Sequence, residues 1–130
     1  MTFNTTSIAE KIREDVESLI ALTSGEGDEK LSAYEVEDKL WWSLLNLGLQ
    51  LLTLFFLSQH QQEAQPQTVE IDGESYAYVG TRKRSYWSIF GKLTLKRRAY
   101  WRSGQGCVYP LDAALNLPQR QYSYRASGMG

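Results

Sequence analysis

Between Lys39 and Glu63 the only side chain able to carry a charge is His60, and the centre of that stretch, Trp41 to Leu57, reads WWSLLNLGLQLLTLFFL. So long an apolar run restricts the fold, because it has to be covered by the rest of the chain, by a second copy or by a bilayer. Its length meets the requirement for a membrane span. Its pattern argues otherwise, since Ser43, Asn46, Gln50 and Thr53 recur at spacings of three and four and draw a polar stripe down one side of a helix. The flanks are acidic at one end and glutamine-rich at the other, without the Lys/Arg bias that orients spans. The reading is a core or dimerisation helix rather than a membrane span, with residues 40–57 as the face for a homodimer. Ser32 and Glu35 have capping-box spacing, so the helix is expected to start there and run to about Gln62.

A first helix is expected over residues 7–23. Ser7 and Glu10 repeat the capping-box spacing, and Ile8, Ile12, Val16, Leu19 and Ile20 give one apolar face. Glu10, Glu14, Asp15 and Glu17 crowd the early turns, where the positive end of the helix dipole favours them. Thr23 to Asp28 reads as a loop.

At Pro66, after the polar stretch HQQEAQPQ, the periodicity changes from helical to alternating. Thr68 to Ile71 reads as a strand, Asp72-Gly73 as a hairpin turn and Ser75 to Val79 as the returning strand. Gly80 then separates a second pair, Arg82 to Ile89 and Leu93 to Arg102, joined through Phe90-Gly91-Lys92. A loop at Ser103 to Gly106 and a short helix from Pro110 to Leu117, closed by Pro118, complete the pattern. The expected fold class is therefore α+β: two N-terminal helices, a four-stranded antiparallel β meander and a short C-terminal helix. Its expected parts are an acidic helical region 1–62, a polar linker 63–67, a β unit 68–102, and a final loop, helix and tail over 103–130.

The net charge of −1 conceals an asymmetry. Residues 1–80 carry 14 acidic and 4 basic side chains, whereas residues 81–130 carry 1 acidic and 10 basic. Within 82–102 stand Arg82, Lys83, Arg84, Lys92, Lys96, Arg97, Arg98 and Arg102, with no acid and with Tyr86, Trp87, Phe90, Tyr100 and Trp101 interleaved. Alternation places Leu93, Leu95, Ala99 and Trp101 on one face of the last strand, with Arg97 as the exception, and Thr94, Lys96, Arg98, Tyr100 and Arg102 on the other. Guanidinium forks suit phosphate oxygens, and aromatic rings stack on bases. The expected nucleic-acid-binding residues are Arg82, Lys83, Arg84, Tyr86, Lys92, Lys96, Arg98, Tyr100 and Arg102. Four phosphate contacts among them would give a log–log salt slope of about −3.6. Two other readings stand beside this one: a solvated sheet face whose cations guard an edge, and a charge match to the acidic helices within the molecule or on another subunit.

No catalytic constellation emerges. His60, the only histidine, sits beside a glutamine run, and Cys107, the only cysteine, leaves no finger-type zinc site within one chain. Glu35, Glu37 and Asp38 read as a solvated first helical turn rather than as metal ligands. Gly25 and Gly27 lack the lysine of a phosphate-binding loop. The single cysteine and the absence of a basic leader and apolar h-region in MTFNTTSIAEKIRED lead to the expectation of a cytoplasmic protein.

The stretch RSYWSIFGKLTLKRRAYW, from Arg84 to Trp101, resembles a segment of bacterial insertion-sequence transposases of the ISKra type. So does PLDAALNLP, Pro110 to Pro118, followed by Tyr122-Ser123. Asn116 stands where that family usually has glycine, and both residues tolerate a left-handed backbone. The resemblance is most specific over residues 84–123 and looser over the acidic helices. It implies an Asp-Asp-Glu transposase whose two metal ions act in a downstream ribonuclease-H-like domain. None of that domain lies in these 130 residues. The expectation is therefore a DNA-binding N-terminal portion, from a truncated copy or a split frame, with no catalysis, cofactor or small-molecule substrate of its own.

Overall fold

A computed structural model of the chain describes residues 4–26, 30–119 and 123. Gly27 and Asp28 of the expected loop, and Tyr122 with the tail beyond Ser123, lie outside the described residues. The fold is α+β, with three helices and a four-stranded antiparallel sheet among the described residues. Two compact units are distinguished, residues 1–55 and 56–130.

The first unit is a helical hairpin. Helix α1 runs Thr5–Ser24 and helix α2 runs Ala33–Gln61, its last turns belonging to the second unit. The start of α1 corrects the expected cap. Asn4, not Ser7, is the N-cap, and its side chain accepts from the Ser7 amide at 2.8 Å. Asn caps as well as Ser does, so the earlier residue takes the role and Ser7 becomes the residue whose free amide is satisfied. Gly25, at φ 74, closes the helix by donating its amide to the Ala21 carbonyl. Helix α2 has the expected capping box: the Glu35 amide donates to Ser32 Oγ at 3.2 Å, and Glu35 Oε1 accepts from the Ser32 amide at 3.2 Å. The polar stripe of α2 meets α1 at Gln50, while Asn46 stays exposed. Gln50 Nε2 donates to Asp15 Oδ2 at 2.7 Å, and Trp42, Ser43 and Asn46 line a groove with Asp15, Ser18 and Leu19.

In the second unit β1 (Thr68–Ile71), β2 (Glu74–Ser88), β3 (Gly91–Arg102) and β4 (Gly106–Val108) follow one another in sheet order, and α3 (Pro110–Ala114) comes last. The β1–β2 turn has Asp72 at φ 52 and Gly73 at φ 79, the doubly left-handed geometry for which Asp-Gly is suited. Gly80 does not end a strand, contrary to expectation. β2 continues through it in a bulge: Tyr78 opposes Tyr100 and Gly80 opposes Ala99, leaving Val79 without an opposite residue. Two expected strands are thus one, and the fourth strand comes from Gly106–Val108. The final helix stops at Ala114 rather than Leu117, and Asn116 takes the left-handed conformation, φ 52.

β1 pairs only with residues 74–77 and β4 only with 100–102. Beyond them β2 and β3 run on as a two-stranded ribbon to the turn where Ser88 opposes Gly91. An isolated ribbon is marginal in water, so what holds this one matters. Phe56 packs edge-to-face on Tyr86 with ring centroids 5.3 Å apart, and Leu93, Leu95 and Ala99 are buried along β3.

Candidate nucleic-acid interface

The register sorts the ribbon into two faces. Tyr86 opposes Leu93, Arg84 opposes Leu95, Arg82 opposes Arg97 and Gly80 opposes Ala99 on the inner face. Trp87 opposes Lys92, Ser85 opposes Thr94, Lys83 opposes Lys96 and Thr81 opposes Arg98 on the outer face. Arg97 is therefore no exception to the alternation. It is buried with its neighbours on the inner face, its guanidinium lying 4.0 Å over the Tyr109 ring.

Burial of Arg97 beside Arg84 requires a counter-charge, and Asp112 of α3 supplies it. Asp112 Oδ2 accepts from Arg84 Nη1 at 3.2 Å, and Oδ1 lies 3.2 Å from Arg97 Nε, an ion-pair distance off hydrogen-bond alignment. Arg84 Nη2 also donates to the Pro118 carbonyl, and the Ser123 amide donates to the Trp87 carbonyl at 2.8 Å. The block that follows β4 thus holds the inner face of the ribbon and the edge of β2. On β3, past the end of β4, the Arg98 amide donates to Glu63 Oε2 at 3.4 Å, and the same oxygen lies 2.9 Å from His60 Nδ1. Each edge is thus engaged at one point, the Trp87 carbonyl on β2 and the Arg98 amide on β3.

The nine expected contact residues divide accordingly. Tyr86 and Tyr100 are buried, Tyr100 to 1% exposure with its hydroxyl donating to the Pro66 carbonyl at 2.9 Å. Arg84 is engaged by Asp112. Arg98 lies 3.8 Å over the Tyr78 ring and donates to Tyr100 Oη and the Pro66 carbonyl, each at 3.1 Å. Arg102 reaches Glu74 at 3.4 Å and the Ser75 carbonyl at 3.0 Å. Arg82 is exposed and turned back on the Thr81 carbonyl. Lys83, Lys92 and Lys96 are exposed on the outer face, and no acidic group among the described residues pairs with them.

The outer face therefore reads Lys83, Ser85 and Trp87 on β2 beside Lys92, Thr94 and Lys96 on β3. Lys92 Nζ sits 5.8 Å from the Trp87 ring centre, and Trp87 is 38% exposed. Trp87 was not among the expected contacts. The signal lay in the turn: with Phe90-Gly91-Lys92 as the turn, Tyr86 falls outward and Trp87 inward, whereas the observed Ile89-Phe90 turn reverses them. Asp112 was missed because a lone acid in a short helix carries no mark of what it faces. No group of three or more metal-ligating side chains occurs among the described residues. No protein family, no characterised protein and no solved structure matches this chain.

Proposed function

We propose that the chain binds DNA through the outer face of the β2–β3 ribbon, as the DNA-binding portion of a transposase. The observation that carries the reading is Lys83 directly opposite Lys96, both exposed and with no acid paired to either among the described residues. Like charges across a ladder are destabilising by a few tenths to about 1 kcal/mol, a cost that a phosphate between them reverses. Lys92 extends the row, and Ser85 and Thr94 add hydroxyls that donate to phosphate oxygens. A two-stranded ribbon has the width that a major groove admits. The transposase assignment rests on the resemblance over residues 84–123. In support of it, Asp112, Pro118 and Ser123 of the resembling block are the residues that hold this ribbon. Catalysis is not assigned to this chain.

The test is titration of a fluorescent generic duplex with the protein over a range of salt. Three lysines on phosphates give a log–log slope of about −2.7, and Lys83→Ala with Lys96→Ala lowers its magnitude by about 2. Salt-independent binding, or none at low salt, overturns the reading. Salt-sensitive association of the protein with itself or another subunit, in place of DNA binding, moves the assignment to charge pairing with acidic helices.

A further inference from the structure

Helix α2 presents its most apolar side to solvent. Tyr34, Trp41, Leu44, Leu51 and Phe55 are 76, 60, 53, 48 and 44% exposed. With Gly48, Trp41 to Phe55 fall at 41, 44, 48, 51 and 55, the alternating three–four spacing of a heptad seam, and Tyr34 stands one heptad earlier with Glu37 at the position between. At about 100° per residue this seam lies roughly opposite the polar stripe that meets α1 at Gln50. The intramolecular partner meets the polar side and leaves the apolar one outward.

We propose that the seam is a self-association surface whose occupant is a second copy of the same helical hairpin, the two α2 helices packing antiparallel, seam to seam, with each α1 on the far side. Three observations favour a second copy. A heptad spacing is what a partner helix reads, whereas lipid makes no such demand. The opposite side of the same segment holds Gln50 bonded to Asp15, itself paired with Lys11 at 2.5 Å, a polar cluster costly to place at bilayer depth. The exposed seam side chains from Trp41 to Phe55 also amount to about 450 Å² per copy, so two copies remove on the order of 900 Å² from water, the size of a weak, reversible interface. Orientation follows from charge. A parallel pair sets Glu35, Glu37 and Asp38 of one copy against the same residues of the other, and an antiparallel pair keeps them apart. Gly48 then meets Gly48 at the crossing, where a missing side chain lets the backbones approach, and Trp41 stands opposite Phe55 of the other copy.

Sedimentation of the full chain without DNA or detergent tests this. The expected result is a dimer whose dissociation constant rises by about a hundredfold or more in the Leu44→Glu, Leu51→Glu double variant. Should that variant not fold, crosslinking decides: on a Cys107→Ser background, Gly48→Cys forms an intermolecular disulfide and Trp41→Cys does not. Crosslinking at both positions overturns the antiparallel arrangement. A wild-type monomer at about 100 μM, or a dimer indifferent to the substitutions, overturns the proposal. So does a chain that floats with phosphatidylcholine–phosphatidylglycerol vesicles and does not dimerise, which assigns the seam to lipid.

Discussion

Asp112 and the Lys83–Lys96 pair are opposite solutions to the same problem of concentrated positive charge. Asp112 sits with its side chain 20% exposed between Arg84 and Arg97, themselves 11 and 9% exposed, and its removal leaves two largely buried cations without a counter-charge. Asp112→Ala is therefore expected to destabilise the protein by about 3–5 kcal/mol, read from urea unfolding. Lys83 and Lys96 are exposed and mutually repelling, so Lys83→Ala with Lys96→Ala is expected to leave stability unchanged or raise it by a few tenths of a kcal/mol while DNA affinity falls. A loss of stability comparable with that of Asp112→Ala would mean that these lysines support the fold. The contrast separates cations that hold the ribbon from cations that the ribbon holds out.

At the scale of elements, the helix start and the hairpin turn that carry local chemical signatures are legible in the sequence alone. Ser32 with Glu35 and Asp72 with Gly73 act within three residues of themselves, and each appears where its spacing places it. The bulge at Val79 is not legible, because an unpaired residue is defined only by the register on both of its sides. The same limit lets a one-residue shift of the turn exchange Tyr86 and Trp87. The stripe Ser43, Asn46, Gln50 and Thr53 is legible as polar, but not as the side that meets α1. The local contacts of the helical hairpin also give it a pH dependence. The Glu35 carboxyl is held below the usual range chiefly by the Ser32 backbone amide, and that of Asp15 chiefly by Lys11 and then Gln50. A lowered carboxyl stabilises the fold above its unfolded-state value, and the contribution is lost as pH falls through the lowered one. Helical ellipticity is expected to decline below about pH 4, and less so in a Glu35→Gln, Asp15→Asn variant, which has no carboxyl at either position to protonate. An identical decline in both proteins would remove these two contacts as its source.

At the scale of the molecule, the division into units 1–55 and 56–130 separates a helical hairpin of 10 acidic and 4 basic side chains from a sheet unit of 5 acidic and 10 basic. Contacts within each unit set local stability, so damage to one need not spread evenly. In Asp112→Ala, hydrogen exchange followed by mass spectrometry is expected to rise across β2 and β3 and to stay at the wild-type rate across α1. A uniform rise would show the two units to unfold as one. The clamp on the ribbon also orders events during synthesis. Asp112 follows the end of β3 at Arg102 by 10 residues and Pro118 follows it by 16, an interval of roughly 0.5–3 s on the ribosome. The β2–β3 hairpin closes in about 1–10 μs once its strands are free to pair. For about a second thereafter a nascent chain carries a zipped ribbon whose inner arginines are still hydrated, and the arrival of Asp112 converts it into a sealed one.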